Sequence, residues 1–323
     1  MDQVTNSFFD LVKPQLAEVE ARMRVSPGDH HPSLIESLDQ LLASGGKRIR
    51  PTLVLLTSGM LGGEENDAIS LAASIEMLHT ATLVHDDLID GSLLRRGLPT
   101  LNAQWSPGAT VLTGDYIFAR AAYLAAEVGE QKLMMIFART LMTIVNGEIS
   151  QLFRSGSDDG RKEYFDRIYA KTASLFEVAT EGIALVCGCD QATLDAMKGL
   201  GYNIGIAFQI VDDVLDFTGK EERVGKPVAN DLRQGLVTLP ALLYFEQHAD
   251  REPLFEEIRA GRVEADELEA LIASIRASTA IEAAMNEAFE YRSRAETLLE
   301  TFPETQERAA LFDLIRYIAD RTE

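Results

Sequence analysis

Cysteine, basic residues and long apolar runs are all in short supply in this chain. The only cysteines, Cys187 and Cys189, sit in the apolar stretch Ala184-Leu185-Val186-Cys187-Gly188-Cys189. No disulfide framework organises the fold, and without further soft ligands nearby two buried thiols are a simpler reading than a metal site. No uninterrupted apolar stretch reaches the roughly 20 residues of a membrane-spanning helix. The start, Met1-Asp2-Gln3-Val4-Thr5-Asn6, lacks the basic opening and apolar core of a secretory signal. Clusters of β-branched residues bounded by turns are few, which disfavours a sheet. With 30 Lys and Arg against 51 Asp and Glu, the net charge is −21, which argues against nucleic-acid binding and against simple attraction to an anionic membrane surface. These features together predict a soluble cytoplasmic protein in which any anionic substrate must be met by locally concentrated cations.

What is abundant is helical periodicity. Apolar residues make up 46% of 323 residues, enough for a large core in a chain that buries roughly 75% of its unfolded surface. The pattern predicts helices over 5–23, 33–43, 51–61, 66–90, 108–128, 131–154, 163–188, 193–218, 236–247, 264–275, 279–300 and 305–320. The breaks at Ser26-Pro27-Gly28, Gly91 to Pro99, Ser155 to Gly160 and Gly219 to Asp231 are neither long nor compositionally simple, so they read as loops rather than linkers. The expectation is one all-α domain over 1–323, a bundle of about a dozen helices.

Two acidic stretches with one spacing punctuate this interior: Asp86-Asp87-Leu88-Ile89-Asp90 and Asp212-Asp213-Val214-Leu215-Asp216. Each follows an apolar run and precedes a Gly, so each is expected near a helix end. On a helix, the spacing turns the carboxylates toward one side. Negative charge there opposes the helix macrodipole, and like charges at i,i+4 repel, so something positive must answer them. One such cluster in an acidic protein is readily explained as solvated; two with apolar lead-ins are not. Oxygen-only ligands suit a hard cation such as Mg²⁺, which takes one or two carboxylates with water and substrate phosphates. A metal-held diphosphate is the natural inference.

Cations suited to that task occur as Gly45-Gly46-Lys47-Arg48-Ile49-Arg50-Pro51 and as Arg95-Arg96, close behind the first cluster. Arg offers a planar fork matched to phosphate, and Lys a flexible point charge. Polar residues also interrupt apolar helices at His79, Lys171-Thr172 and Gln209, and Lys226 follows the second cluster. A lone His or Gln on an apolar helix is commonly a satisfied core residue, but these stand beside both clusters.

With these residues in order, together with Gly97, Gly114-Asp115-Tyr116, Gly147-Glu148 and Phe208, the chain over about 40 to 245 resembles the trans-type polyprenyl diphosphate synthases. The resemblance implies the isoprenoid synthase fold, with helices around a deep central cavity, and a homodimer. It also implies a reaction between an allylic diphosphate and isopentenyl diphosphate. By that resemblance Asp86, Asp90 and Asp212 ligate Mg²⁺, three ions with substrate bound, and Asp87 and Asp216 support them. Arg95, Lys171 and Lys226 hold the allylic diphosphate, while Lys47, Arg50, His79 and Arg96 hold isopentenyl diphosphate. Thr172 and Gln209 offer oxygen dipoles to the allylic cation. In one departure, Leu236 of Asp231-Leu232-Arg233-Gln234-Gly235-Leu236-Val237-Thr238-Leu239-Pro240 stands where many relatives carry Lys.

In such enzymes bulky residues one turn before the first motif close the product tunnel. Ala81 and Thr82 are small, with Leu78 and then Ile75 deeper, so a product longer than farnesyl is expected, geranylgeranyl or beyond. Met134, Met135, Phe137, Met142 and Tyr116 are candidates for the opposite wall. Two other readings share part of this inventory. A terpene cyclase-like lyase needs no second diphosphate site, which the Lys47-Arg50-His79-Arg96 group disfavours. A non-catalytic subunit of a heteromeric prenyltransferase need not keep the aspartates, and here both clusters are intact.

Overall fold

The computed structural model describes residues 7–25, 28, 30–43, 45–95, 97–153, 160–219 and 228–321. In chain order the first elements are α1 (Ser7–Leu11), α2 (Lys13–Met23), α3 (Pro32–Ala43), α4 (Ile49–Leu61), α5 (Glu65–Ile89), β1 (Leu94–Arg95), β2 (Leu98–Pro99), α6 (Leu101–Gln104), α7 (Pro107–Glu127) and α8 (Gln131–Phe153). There follow α9 (Gly160–Ile168), a π-helical turn (Tyr169–Ala173), α10 (Ser174–Val186), α11 (Gln191–Thr218) and α12 (Asn230–Arg233). The chain continues with α13 (Leu239–Gln247), a 3₁₀ turn (Ala249–Arg251), α14 (Glu252–Arg259), α15 (Ala265–Ala277), α16 (Ala280–Glu300) and α17 (Gln306–Asp320). The all-α expectation holds, and the helices group into two packed units.

The first unit takes Met1–Met142, Leu175–Gly201 and Leu298–Leu314. Its axis is α5, in which every residue from Ala68 to Leu78 is buried, the mark of a helix enclosed on all sides. Leu71, Ile75, Leu78 and Ala81 are without exposure, as are Ile117, Ala121 and Leu124 of α7, which packs along α5. Small residues allow the close approach, and the Ser74 hydroxyl donates to the Ala121 carbonyl at 2.7 Å, so the buried hydroxyl is satisfied.

The second unit takes Thr143–Ser174, Tyr202–Thr297 and Ile315–Glu323. Ile206, Ile210 and Phe217 of α11 form its core with Leu239 and Tyr244 of α13, Ile275 of α15 and Ala280, Ala284 and Ala288 of α16. The alanines recur at a helical turn's spacing and give α16 a narrow inward stripe.

Three local departures from the expected helices have identifiable causes. The helix expected over 5–23 breaks at Val12, because Pro14 is tolerated only in a first turn and so begins α2. Pro253 likewise opens α14, which lay unassigned between two expected helices. The stretch 163–188 is not one α-helix but α9 and α10 joined by the π turn.

Candidate active site

The first acidic cluster occupies the last turn of α5. Gly91 adopts φ 64° and its N–H reaches the Leu88 carbonyl, while the Ser92 N–H reaches that of Asp87 at 2.9 Å. This is a Schellman stop, for which glycine is the favoured residue. Asp86 is half-buried and Asp90 exposed, whereas Asp87 is buried. Arg95 Nε donates to both Asp87 carboxylate oxygens at 3.0 Å. The stop at Gly91 turns the chain back so that Arg95 reaches Asp87, and a two-stranded hairpin pairing Arg95 with Leu98, with Gly97 at φ 77°, follows. The loop expected at 91–99 thus contains a hairpin.

His85, just before the cluster, points its Nε2 toward the Asp115 carboxylate at 3.6 Å. A Cβ on Gly114 would meet that imidazole at 2.2 Å, which gives Gly114-Asp115 a physical reason: clearance for the ring, then a charge beside it.

The basic turn divides its labour. Arg48 takes a left-handed backbone, φ 48°, and turns inward to Glu76 at 2.9 Å and Glu20 at 3.1 Å. Burial opposes its charge, but the two carboxylates more than offset that and raise its pKa. It is a structural pivot, not one of three equivalent cations. Lys47 is exposed, and Arg50 is buried with its guanidinium 4.7 Å from the Phe176 ring centre. His79 is half-buried on α5, where its carbonyl accepts from Thr82 Oγ1.

The second cluster lies near the end of α11, and its carboxylates are engaged separately. Asp212 meets Arg321 at 2.7 Å. Asp216 accepts the backbone N–H groups of Asn230 and Asp231 at 3.1 and 3.2 Å, at the start of α12, where a helix N-terminus favours an anion. Asp213 is buried and accepts from Tyr164 Oη at 2.7 Å and Gln209 Nε2 at 2.8 Å. Burial, then the charge of Asp231, pushes Asp213 up to about 7 against those two hydrogen bonds. Among the described residues no three His, Cys, Asp or Glu side chains are gathered as a ready-made metal cage. The convergence expected from spacing alone is undone by the separate partners of Asp87, Asp213 and Asp216.

Lys171 and Thr172 both lie in the π turn, whose wider ring shifts side chains relative to an α-helical register. Gly147 makes room for it, since a Cβ there would come 2.5 Å from the Ala170 Cβ. The next residue, Glu148, holds Lys171 Nζ at 3.0 Å. Thr172 Oγ1 donates to Gln209 Oε1 at 2.6 Å. Sequence reading placed Lys171, Thr172 and Gln209 among the candidates but assigned no role to Glu148, Tyr164, Asp213 or Arg321. Tyr164 stands seven residues before Lys171, and nothing in the sequence marks Arg321.

Arg96 and Lys226 lie outside the described residues. Ala81 and Leu78 are fully buried and Thr82 half-buried. Of the opposite-wall candidates, Phe137 is buried, Met134 and Tyr116 are half-buried, and Met135 and Met142 are 61% and 72% exposed, so these two methionines face outward. Leu236 is half-buried in a shallow depression with Arg167 and Val237.

An all-α chain carrying paired aspartate motifs and a Lys-Thr-Gln set drawn together by a π turn defines a prenyl-transferring enzyme. The family described as Polyprenyl synthetase matches residues 31–275. Heptaprenyl diphosphate synthase component 2 of Bacillus subtilis is 36% identical over 97% of this chain and 90% of its own. Two crystal structures are similar throughout. Polyprenyl synthase from Caulobacter crescentus, complexed with calcium and isoprenyl diphosphate, has TM-score 0.87 and 34% identity, covering 99% of this chain and 98% of its own. A decaprenyl diphosphate synthase from Rhodobacter capsulatus has TM-score 0.88 and 34% identity, with 98% of each chain covered. The chain belongs to the polyprenyl synthetase family. Among its described residues no helix is long and apolar enough to cross a membrane.

Proposed function

We propose that this chain is a trans-polyprenyl diphosphate synthase, joining an allylic diphosphate head to tail with isopentenyl diphosphate within a single prenyltransferase domain. The observation that carries this reading is the π turn that presents Lys171 and Thr172 in succession, with Thr172 bonded to Gln209 of α11. A cation and two oxygen dipoles on neighbouring residues suit a departing anion and the carbocation it leaves behind.

In the reaction the allylic C–O bond breaks and its electron pair leaves on the diphosphate. The alkene of isopentenyl diphosphate then forms the new C–C bond, and a proton lost to the released diphosphate restores a double bond. Lys171, Arg95 and Lys226 hold the leaving diphosphate; Lys47, Arg50, His79 and Arg96 hold isopentenyl diphosphate. Thr172 and Gln209 face the transient cation, and apolar walls exclude water that would quench it. Asp86, Asp90 and Asp212, supported by Asp87 and Asp216, fit Mg²⁺ by donor chemistry: oxygen only, with exposed Asp90 and half-buried Asp86 and Asp212. These residues would hold the ions, three with substrate bound, which would supply positive charge for the departing diphosphate. The Caulobacter relative was crystallised with another hard divalent ion, calcium.

The product is longer than farnesyl, geranylgeranyl or beyond. Small Ala81 and Thr82 support this, as do relatives named for heptaprenyl and decaprenyl products. A homodimer is supported by the outward apolar stripe of α8, where Met135, Met142 and Ile149, and beside them Val145 and Leu152, recur every two turns. A heteromeric assembly is the second reading, because the Bacillus relative is named as one component of a synthase.

The test is incubation of the purified chain alone with labelled isopentenyl diphosphate, several allylic primers and Mg²⁺, with chromatographic sizing of the dephosphorylated alcohols. Elongated products support the synthase. Cyclised product without incorporation of label would indicate a lyase, and silence until a partner is added would indicate a heteromer.

A further inference from the structure

Tyr164 and Asp213 take no part in the chemistry outlined above, yet both are buried polar groups tied directly to it. Tyr164 is 1% exposed and Asp213 3%. Three short hydrogen bonds run in series within one packed unit. Tyr164 Oη donates to Asp213 Oδ2 at 2.7 Å, Gln209 Nε2 donates to Asp213 Oδ1 at 2.8 Å, and Thr172 Oγ1 donates to Gln209 Oε1 at 2.6 Å.

The orientation of the Gln209 amide sets the sense of this chain. An amide nitrogen only donates, and here it faces the Asp213 carboxyl at 2.8 Å. Its oxygen is then turned to Thr172, whose one hydroxyl proton is committed to it. What remains on Thr172 Oγ1 is lone-pair density, polarised by the two bonds that run head to tail from Thr172 through Gln209 to Asp213, because such bonds strengthen one another away from water. Without Asp213 the amide could rotate and present N–H groups, the wrong sign toward a carbocation. The Tyr164 hydroxyl fills the other carboxylate oxygen and holds the carboxylate in plane.

We propose that Tyr164 and Asp213 are positioning residues that fix the Gln209 amide and the Thr172 hydroxyl with their oxygen density toward the allylic cation. This assigns the second aspartate of the second motif to the orientation of Gln209 and Thr172. The inference rests on the synthase reading given above.

The test is a double-mutant cycle between Tyr164→Phe and Thr172→Val, read as kcat, as KM for each diphosphate and as melting temperature. Tyr164→Phe keeps the ring and its packing, and should lower kcat about tenfold with both KM values within about twofold. In the Thr172→Val background the same change should cost less than about twofold, because both substitutions break one chain. An equal loss in both backgrounds overturns the proposal, as does a rise in KM for the allylic diphosphate with kcat unchanged. If Tyr164→Phe does not fold, Asp213→Asn carries the same cycle against Thr172→Val. A metal-binding role for Asp213 would instead appear as a raised Mg²⁺ requirement, and that result also overturns the proposal. A wild type that makes no elongated product removes the synthase reading and this inference with it; an active wild type with an additive cycle removes only this one.

Discussion

Arg321 pairs with Asp212 at 2.7 Å, its guanidinium lying 3.9 Å from the Phe208 ring centre and donating to the Phe208 carbonyl. The first carboxylate of the second motif is thus answered by a cation from the far end of the chain. A fixed positive charge lowers the affinity of a neighbouring site for a divalent ion. Arg321→Ala should reduce the Mg²⁺ concentration for half-maximal activity about two- to fivefold, on the order of one charge pair. Titration of activity against Mg²⁺ checks this; an unchanged or higher requirement means that Arg321 holds Asp212 in its binding geometry.

Gly147 and Ala170 meet where α8 passes the π turn. Gly147→Ala forces the turn that carries Lys171 and Thr172 to move, at a cost of ~1–3 kcal/mol for overpacking. Both melting temperature and kcat should fall. Adding Ala170→Gly should restore kcat more fully than stability, since glycine in a helix costs ~1 kcal/mol of its own. Thermal unfolding and kinetics on the three variants separate the two effects.

Ala81 is fully buried on α5. Replacing it with Phe should shorten the product, seen as a shift to shorter alcohols on chromatography. An unchanged distribution in a folded variant would take the tunnel away from this face of α5.

The outward stripe on α8 should lie in a contact between copies. Met142→Glu with Leu152→Glu would place unpaired charges there, which costs several kcal/mol once buried. Sedimentation should show the wild type as a dimer and the double variant as a monomer. A wild type that sediments as a monomer refutes the assignment.

Burial first, then the neighbouring Cys189, raises the Cys187 thiol to about 11. The neutral form therefore dominates below that pH, and at pH 8 the thiolate fraction is ~10⁻³. Alkylation of Cys187 should be slow at pH 8 and rise about tenfold per pH unit toward 11, as mass spectrometry after timed labelling would record.

Although it missed the break at Val12, the π turn and α14, the apolar periodicity was sufficient for most helices, because such spacing is a property of neighbours in sequence. The same holds for the Gly91 stop after Asp90 and for the aspartate spacing, which are written within one turn of chain. The sequence by itself therefore determined the fold class, the family and the inventory of Lys171, Thr172, Gln209 and the aspartates. Which of those carboxylates are committed was decided only in three dimensions: Asp87 by Arg95, Asp213 by Tyr164 and Gln209, Asp216 by the start of α12, and Asp212 by Arg321. Gln209 and Arg95 stand 4 and 8 residues from their partners, within reach of a local reading. Tyr164 and Arg321 stand 49 and 109 away, and a hydrogen bond depends on distance in space, which no local pattern encodes at that range.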